Sequence, residues 1–198
     1  MSTISADMVK QLRAQTGAGI MDCKNALKEC NGDMSKSVDF LRKKGLATAK
    51  KRAGRKLSEG IVQSYIHTGG KIGVLLEINC ETDFVAKTDD FIEFSKNIAM
   101  HIAAASPIAV KPDEIPDDII KKEKEIYKAQ ALETGKPEKI VDKIAEGKIK
   151  KFYSDNSLLE QQYVRDPNLT IQDVLNEVIA KTGENISIKR FARFQIGE

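Results

Sequence analysis

Apolar residues in the first fifty positions recur at helical spacing and predict three short amphipathic helices. The first helix follows Ser5, a suitable N-cap, and stops at Thr16–Gly17. The second begins at about Gly19 and is broken by Asn31–Gly32, and Asp33 then caps the third. Three amphipathic helices joined by tight turns predict a compact bundle close to the lower size limit for independent stability.

From Glu59 the apolar period shortens to two residues, which predicts strands. The segments GIVQSYIH and KIGVLLEIN flank Thr68–Gly70, a sequence typical of a hairpin turn. Apolar side chains of the second strand alternate toward one face: Ile72, Val74, Leu76 and Ile78. A helix is then predicted from about Thr88, its cap, with apolar residues at helical spacing: Phe91, Phe94, Ile98 and Ile102.

The remainder of the chain mixes helices and strands without strict alternation, which favours an α+β fold. The predicted elements are charged helices at Asp117–Glu133 and Pro137–Tyr153, an extended segment LLEQQYV, a helix at Ile171–Lys181 and a closing strand at Asn185–Ile196. We therefore predict a three-helix domain at residues 1–53, followed by an α+β core at 54–198 with a small antiparallel sheet packed against helices.

Composition restricts the class of protein but does not identify it. Of 198 residues, 41% are apolar and 31% charged, enough for a folded core, and the net charge of +3 gives no argument for nucleic-acid binding. No apolar run approaches the roughly 18 residues of a membrane helix, and the N-terminus lacks a signal-peptide pattern. Three cysteines without a C-x-x-C pair predict free thiols and a cytoplasmic location.

The basic run Lys50–Lys56 has two interpretations. It is either a solvated linker or the charged end of a helix, or else a patch that binds RNA. No aromatic residues are interleaved in the run to stack on bases, so we favour the helix end and keep RNA binding as an alternative.

Candidate catalytic residues do not form a convincing active site. The two histidines, His67 and His101, are far apart and lack ligand spacing, and Glu81 beside Cys80 would raise the thiol pKa. A carboxylate cluster for a divalent metal is an alternative, formed by Asp83, Asp89 and Asp90, although Asp89 and Asp90 suit the first turn of a helix. We predict a binding protein, not an enzyme, with no cofactor and no metal of its own.

Two apolar features are candidate contact sites. Ile20 and Met21 begin the second helix, whose core face is already supplied by Cys23 and Leu27, so one of the pair can face outward. Spacing alone nevertheless favours partial burial of both. Phe84 lies at a strand-to-helix junction, where spacing alone favours a core or staple residue.

At these same positions the chain resembles a known family, bacterial translation elongation factor Ts. The segment TGAGIMDCKNALKECNGDMSKSVDFLRKKG is similar to the N-terminal module of that family, and CETDFVAKTDDF is similar to its characteristic loop. AMHIAAASP, GKPEKIVDKIAEGKIKKF, LLEQQYV and GENISIKRFARFQIGE extend the resemblance along most of the chain. It implies a ubiquitin-associated-type three-helix module and an α+β core that also serves for dimerisation.

The resemblance also implies guanine-nucleotide exchange on elongation factor Tu, with no direct contact to nucleic acid or membrane. One segment would enter the GTPase domain of the partner and disturb its magnesium site: Thr82, Asp83, Phe84 and Val85. Ile20 and Met21 would contact the same domain, and His101 in AMHIAAASP is associated with the interface. The chain has the length of the compact family form, which implies a homodimer and a two-plus-two complex.

Overall fold

A computed structural model describes residues 4–135 and 137–197. Its α-helices are α1 (Ala6–Thr16), α2 (Ile20–Glu29), α3 (Met34–Arg52), α4 (Asp83–Ala86), α5 (Asp89–Ala105), α6 (Asp117–Glu133), α7 (Glu138–Asn156) and α8 (Ile171–Thr182). Its strands are β1 (Glu59–Ile66), β2 (Ile72–Cys80), β3 (Gln162–Tyr163), β4 (Asp166–Thr170) and β5 (Ile186–Gln195). In the described parts of the chain, no helix has the length and apolarity of a membrane span.

The three predicted N-terminal helices are confirmed, and their ends follow from capping. The Ser5 hydroxyl accepts a hydrogen bond from the Met8 amide at 3.2 Å, and Gly17 ends α1 with a left-handed φ of 66°. The Asp33 carboxylate accepts from the Lys36 amide at 3.0 Å at the start of α3. The apolar faces meet in a shared core: Leu12, Cys23, Ala26, Leu27 and Leu41.

The predicted hairpin and closing strand form a three-stranded sheet in the order β1-β2-β5. The His67 amide donates to the Ile72 carbonyl at 2.9 Å beside the hairpin turn, and the Ile196 amide donates to the Lys71 carbonyl at 3.0 Å. The predicted alternation along β2 is confirmed, since Val74, Leu76 and Ile78 are buried. The predicted α+β class is therefore confirmed.

The segment LLEQQYV departs from the predicted extended conformation. Leu158–Glu160 is a short 3-10 helix, and only Gln162–Tyr163 is a strand. The amides of Leu158 and Leu159 donate to carbonyls of Ala109 and Val110, contacts remote in sequence that local propensity does not encode. The partner strand β4 has the sequence DPNLT, whose proline and polar residues resemble a turn.

The chain divides into two compact units that do not follow chain order. The first contains residues 1–61, 78–94 and 173–187, and the second contains 62–77, 95–172 and 188–198. Within the first unit α3 contacts α8: the Arg42 guanidinium pairs with the Asp173 carboxylate at 2.8 Å. The domain boundary between residues 53 and 54 stays a prediction.

Gly60 in β1 is a position where side-chain size should control stability. Its φ is 150°, and a Cβ there would overlap the Ile78 carbonyl oxygen and lie 2.8 Å from the Asn79 Cα. Because backbone cannot move aside as a flexible side chain can, we expect Gly60→Ala to destabilise the fold by about 3 kcal/mol. Urea unfolding monitored by circular dichroism measures the change.

Gly147 in α7 is the matched control for this substitution. A Cβ at Gly147 would meet no atom within 4 Å outside its sequence neighbours and the backbone of its own helix. Gly147→Ala should therefore stabilise the protein by about 0.5–1 kcal/mol through helix propensity. Equal unfolding midpoints for the two variants would contradict the account of Gly60.

Candidate partner-binding site

The segment Thr82–Val85 is the start of a single helical turn rather than an irregular loop. Thr82 has extended backbone angles and caps α4, with its hydroxyl accepting from the Val85 amide at 3.4 Å. A second cap follows: the Thr88 hydroxyl accepts from the Phe91 amide at 3.3 Å, which confirms Thr88 as the start of α5. The sequence did not predict α4, because one helical turn has no apolar periodicity to detect.

Phe84 projects from α4 into solvent. Its exposed fraction is 79%, whereas Val85 and Ala86 are buried. Successive residues of a helix diverge by about 100°, so burial of Val85 and Ala86 directs Phe84 away from the core. The core or staple role that spacing favoured for Phe84 is therefore wrong.

Two carboxylates hold the base of this turn. Glu184 accepts both the Thr82 amide, at 3.0 Å, and the Thr82 hydroxyl, at 2.6 Å. Glu81 accepts the Asn185 amide at 2.6 Å and pairs with the Arg55 guanidinium at 3.3 Å. The hydrogen bond from the Asn185 backbone amide is the largest cause that holds the pKa of Glu81 below its ordinary value, and the contact with Arg55 lowers it further.

The roles of Glu81, Arg55 and Glu184 were missed by sequence reasoning. Their partners lie up to 104 residues away, and no short-range spacing signals such a pairing. Within the basic run, Lys50–Arg52 form the last turn of α3, which confirms the helix-end interpretation for those three residues. RNA binding by Lys50–Lys56 stays a hypothesis.

Two of the acidic residues near the turn, Asp83 and Asp90, form ion pairs with lysine side chains. Asp83 pairs with Lys87 at 2.7 Å, a bond that lowers the pKa of Asp83, and Asp90 pairs with Lys181. Within residues 4–135 and 137–197, no three His, Cys, Asp or Glu side chains are grouped so that they could hold a metal ion. The metal-cluster alternative of Asp83, Asp89 and Asp90 thus has no structural support in this part of the chain.

Cys80 lies beneath the turn and is buried. Its thiol donates to the Thr82 carbonyl at 3.1 Å. Burial raises the pKa of Cys80 to about 11, and the negative charge of Glu184 adds to this increase. The sequence predicted the direction of this pKa shift but named Glu81 as its cause. In the structure burial is the largest cause, and the charge of Glu184 comes second.

Ile20 and Met21 are both exposed on the first turn of α2. Their exposed fractions are 55% and 63%, so the partial burial of both that spacing favoured is wrong. Cys23 and Leu27 are fully buried and take the core-facing positions, as predicted. The pair and the α4 turn belong to the same compact unit, although the predicted domain boundary separates them.

His101 is fully buried on α5 in the second unit. Its Nδ1 faces the Val164 amide at 3.4 Å, so Nδ1 is the acceptor and Nε2 carries the proton donated to Gln161 Oε1 at 3.0 Å. The Gln161 amide group in turn donates to the carbonyls of Ala105 and Asp155. Because the His101 side chain is fully buried, it does not contact a partner directly in this conformation. Its role at the interface stays a prediction.

Known proteins provide an independent comparison. A family model described as elongation factor TS matches residues 46–198, which include Thr82–Val85. A relative named elongation factor Ts from Desulfosudis oleivorans is 63% identical over 198 residues, covering 100% of both chains. Relatives of the same name from Caldanaerobacter subterraneus and Geobacter sulfurreducens are each 60% identical, covering 98% and 99% of this chain and 98% and 91% of their own.

Burial of His101 makes stability depend on pH. Because burial lowers its pKa, the folded state binds fewer protons than the unfolded state once the pH falls to the ordinary histidine value near 6.5. We expect stability to fall on acidification through this range, by at most about 1.4 kcal/mol per pH unit for one proton. Urea unfolding between pH 7.5 and 5.5, at fixed protein concentration, measures the slope.

The His101→Gln variant should lose most of this slope, whatever its absolute stability. The matched control is His67→Gln, which removes an exposed histidine and should retain the wild-type slope. An unchanged slope in His101→Gln would show that other groups cause the pH dependence.

Proposed function

The chain belongs to the elongation factor Ts family and is a translation elongation factor, and we propose that it releases GDP from elongation factor Tu through Thr82–Val85. This segment would enter the GTPase domain near the bound magnesium ion, after which GTP can rebind. The proposed reaction makes and breaks no covalent bond in this chain and requires no cofactor, nucleic acid or membrane. We propose that it acts in the cytoplasm.

The exposure of Phe84 is the observation that carries this proposal. A large aromatic side chain with an exposed fraction of 79% contributes little apolar burial to the fold of its own chain. It projects from a turn anchored by two carboxylates, so its direction is set before a partner arrives. This is the arrangement expected of a wedge that enters another protein.

Magnesium makes such a wedge effective without blocking the nucleotide pocket. The ion requires near-ideal octahedral geometry, so a displacement of about an ångström in its supporting groups weakens its hold on GDP phosphate. A thousandfold loss of GDP affinity corresponds to about 4 kcal/mol. By linkage, GDP then weakens binding of this chain to the partner by the same factor.

Phe84 alone cannot supply this energy. Burying one such side chain contributes about 1.5–3 kcal/mol, so other contacts must hold the partner while the wedge acts. We propose that exposed Ile20 and Met21 provide an anchor, since they belong to the same compact unit as α4. His101 would act indirectly, through the segments that its hydrogen bonds hold together.

The wedge and the anchor should differ in their kinetic effects. Phe84→Ala should lower the maximal rate of GDP release roughly ten- to hundredfold, because the transition state for release loses burial worth about 1.5–3 kcal/mol. Met21→Ala should instead raise the half-saturating concentration with a smaller effect on the maximal rate. Stopped-flow release of a fluorescent GDP from elongation factor Tu, titrated with each variant, measures both quantities.

Wild-type protein is the positive control, and absence of acceleration at saturating concentration would disprove the exchange function. Leu132→Ala, which truncates an exposed leucine on α6, is the matched surface control. Unchanged kinetics in Phe84→Ala would disprove the wedge but leave exchange itself intact.

We further propose that the chain forms a homodimer through the outer face of the three-stranded sheet, giving a two-plus-two complex with its partner. Leu75 points away from the core, because its neighbours Val74 and Leu76 are buried. Ile66 lies on the same face, since a Cβ on Gly73 would be 3.1 Å from the Ile66 Cδ1.

β5 extends this apolar surface. Arg190 Nε pairs with Glu77 at 2.7 Å, which places Arg190 on the outer face, and Phe194 follows at the same parity. Val62, Ile66, Leu75 and Phe194 are all exposed. A second copy of the chain would cover this surface, as the family resemblance implies.

A charge at the centre of this face should prevent dimerisation. Leu75→Glu would place a carboxylate in the proposed interface, where burial without a partner costs several kcal/mol. We expect wild-type protein to have the mass of a dimer by light scattering at micromolar concentration, and Leu75→Glu that of a monomer. Leu132→Glu is the matched control and should stay dimeric; monomeric wild-type protein would disprove the proposal.

A further inference from the structure

The capping residue of α4 is itself held by a remote carboxylate. Thr82 gives both of its donors, the amide and the hydroxyl, to the two oxygens of Glu184. A hydroxyl has one proton, so donation to Glu184 leaves only its lone pairs to face the Val85 amide. The Glu184 contact thereby fixes Thr82 Oγ1 as the acceptor that caps the turn.

The turn depends on this cap more than a longer helix would. A single helical turn has fixed its backbone in return for few hydrogen bonds, so its stability comes from the groups at its ends. Phe84 lies between the cap and buried Val85, and the orientation of its backbone follows that of the turn. Loss of the cap would let Phe84 sample other directions.

Glu184 is itself positioned by the end of α8. Gly183 adopts a left-handed φ of 77°, and its amide donates to the Ile179 carbonyl at 3.0 Å, which closes the helix. The Glu184 amide then faces the Thr182 hydroxyl at 3.4 Å. The chain direction set by Gly183 brings Glu184 to Thr82 and the next residue, Asn185, to Glu81.

We propose that Glu184 is a positioning residue for nucleotide exchange, which holds Thr82 so that the α4 turn presents Phe84 in the direction needed for insertion. This inference rests on the proposed exchange function. Glu184 does not touch the partner in this account; it acts through Thr82. Its role is distinct from that of the apolar anchor at Ile20 and Met21.

Removing the Glu184 carboxylate should slow GDP release while leaving binding to the partner nearly unchanged. The anchor can still bind the partner, but only complexes with a correctly directed turn release GDP, so the maximal rate falls with the competent fraction. We expect Glu184→Ala to lower the maximal rate of GDP release about tenfold, equivalent to about 1.4 kcal/mol. The half-saturating concentration should change less than about twofold.

Glu184→Gln, Thr82→Val and the double variant test the route through Thr82. Glu184→Gln retains one acceptor oxygen for the Thr82 amide and should give an intermediate maximal rate. Thr82→Val combined with Glu184→Ala should lose less than the product of the two single losses, because the residues share one interaction. Glu133→Ala removes an exposed carboxylate at the end of α6 and is the matched control.

Amide hydrogen exchange of the free protein gives a readout that does not involve the partner. Exchange at the Thr82 and Val85 amides should accelerate in Glu184→Ala, while the Leu27 amide in the buried N-terminal core should stay protected. If Leu27 also loses protection, Glu184→Ala has unfolded globally. The GDP-release and hydrogen-exchange measurements are then made on Glu184→Gln, and the same outcomes support or overturn the proposal.

A maximal rate equal to that of Glu133→Ala would overturn the proposal, as would a loss confined to the half-saturating concentration. A rate loss in the double variant equal to the product of the two single losses would also overturn it. If wild-type protein fails to accelerate GDP release, the proposed nucleotide-exchange function is wrong. Separately, an unchanged rate of amide hydrogen exchange at Val85 in Glu184→Ala would show that Glu184 does not hold the turn.

Discussion

The reciprocal hydrogen bonds of Glu81 and Glu184 join two segments that are more than one hundred residues apart in sequence. Each carboxylate accepts from the residue that follows the other: Glu81 from Asn185, and Glu184 from Thr82. The end of β2, the α4 turn, the end of α8 and the start of β5 all meet at this pair of contacts. Charge-assisted bonds to backbone amides are stronger than neutral ones, and the local geometry depends on them.

This constraint explains how a short turn can carry an exposed aromatic residue. Val85 and Ala86 bury the inner side of α4, the Thr82 cap closes its start, and Phe84 remains outside. An unanchored loop with the same residues would collapse its phenylalanine onto the nearest apolar surface, because burial is favourable by about 1.5–3 kcal/mol. A fixed turn resists this collapse and keeps the side chain available to a partner.

The two compact units differ in what they offer to other molecules. The first contains the exposed pair Ile20 and Met21 together with the α4 turn, so both proposed contacts with elongation factor Tu belong to one body. The second contains the buried His101 network and the exposed apolar residues Leu75 and Phe194, which suit self-association. The proposed partner contacts and the proposed dimer interface thus lie in different parts of the chain.

Periodicity and capping signals in the sequence were sufficient for the helices of ten or more residues, the hairpin and the α+β class, because each depends on residues within a few positions of one another. The motifs were also sufficient to indicate the family. Spacing was not sufficient for Phe84, Ile20 and Met21, whose exposure depends on which neighbours the tertiary fold buries. Glu184 and Arg55 gave no signal, since their partners are distant in sequence. Only the folded chain brings Glu184 to Thr82, and that contact turns a polar segment after β2 into a directed turn.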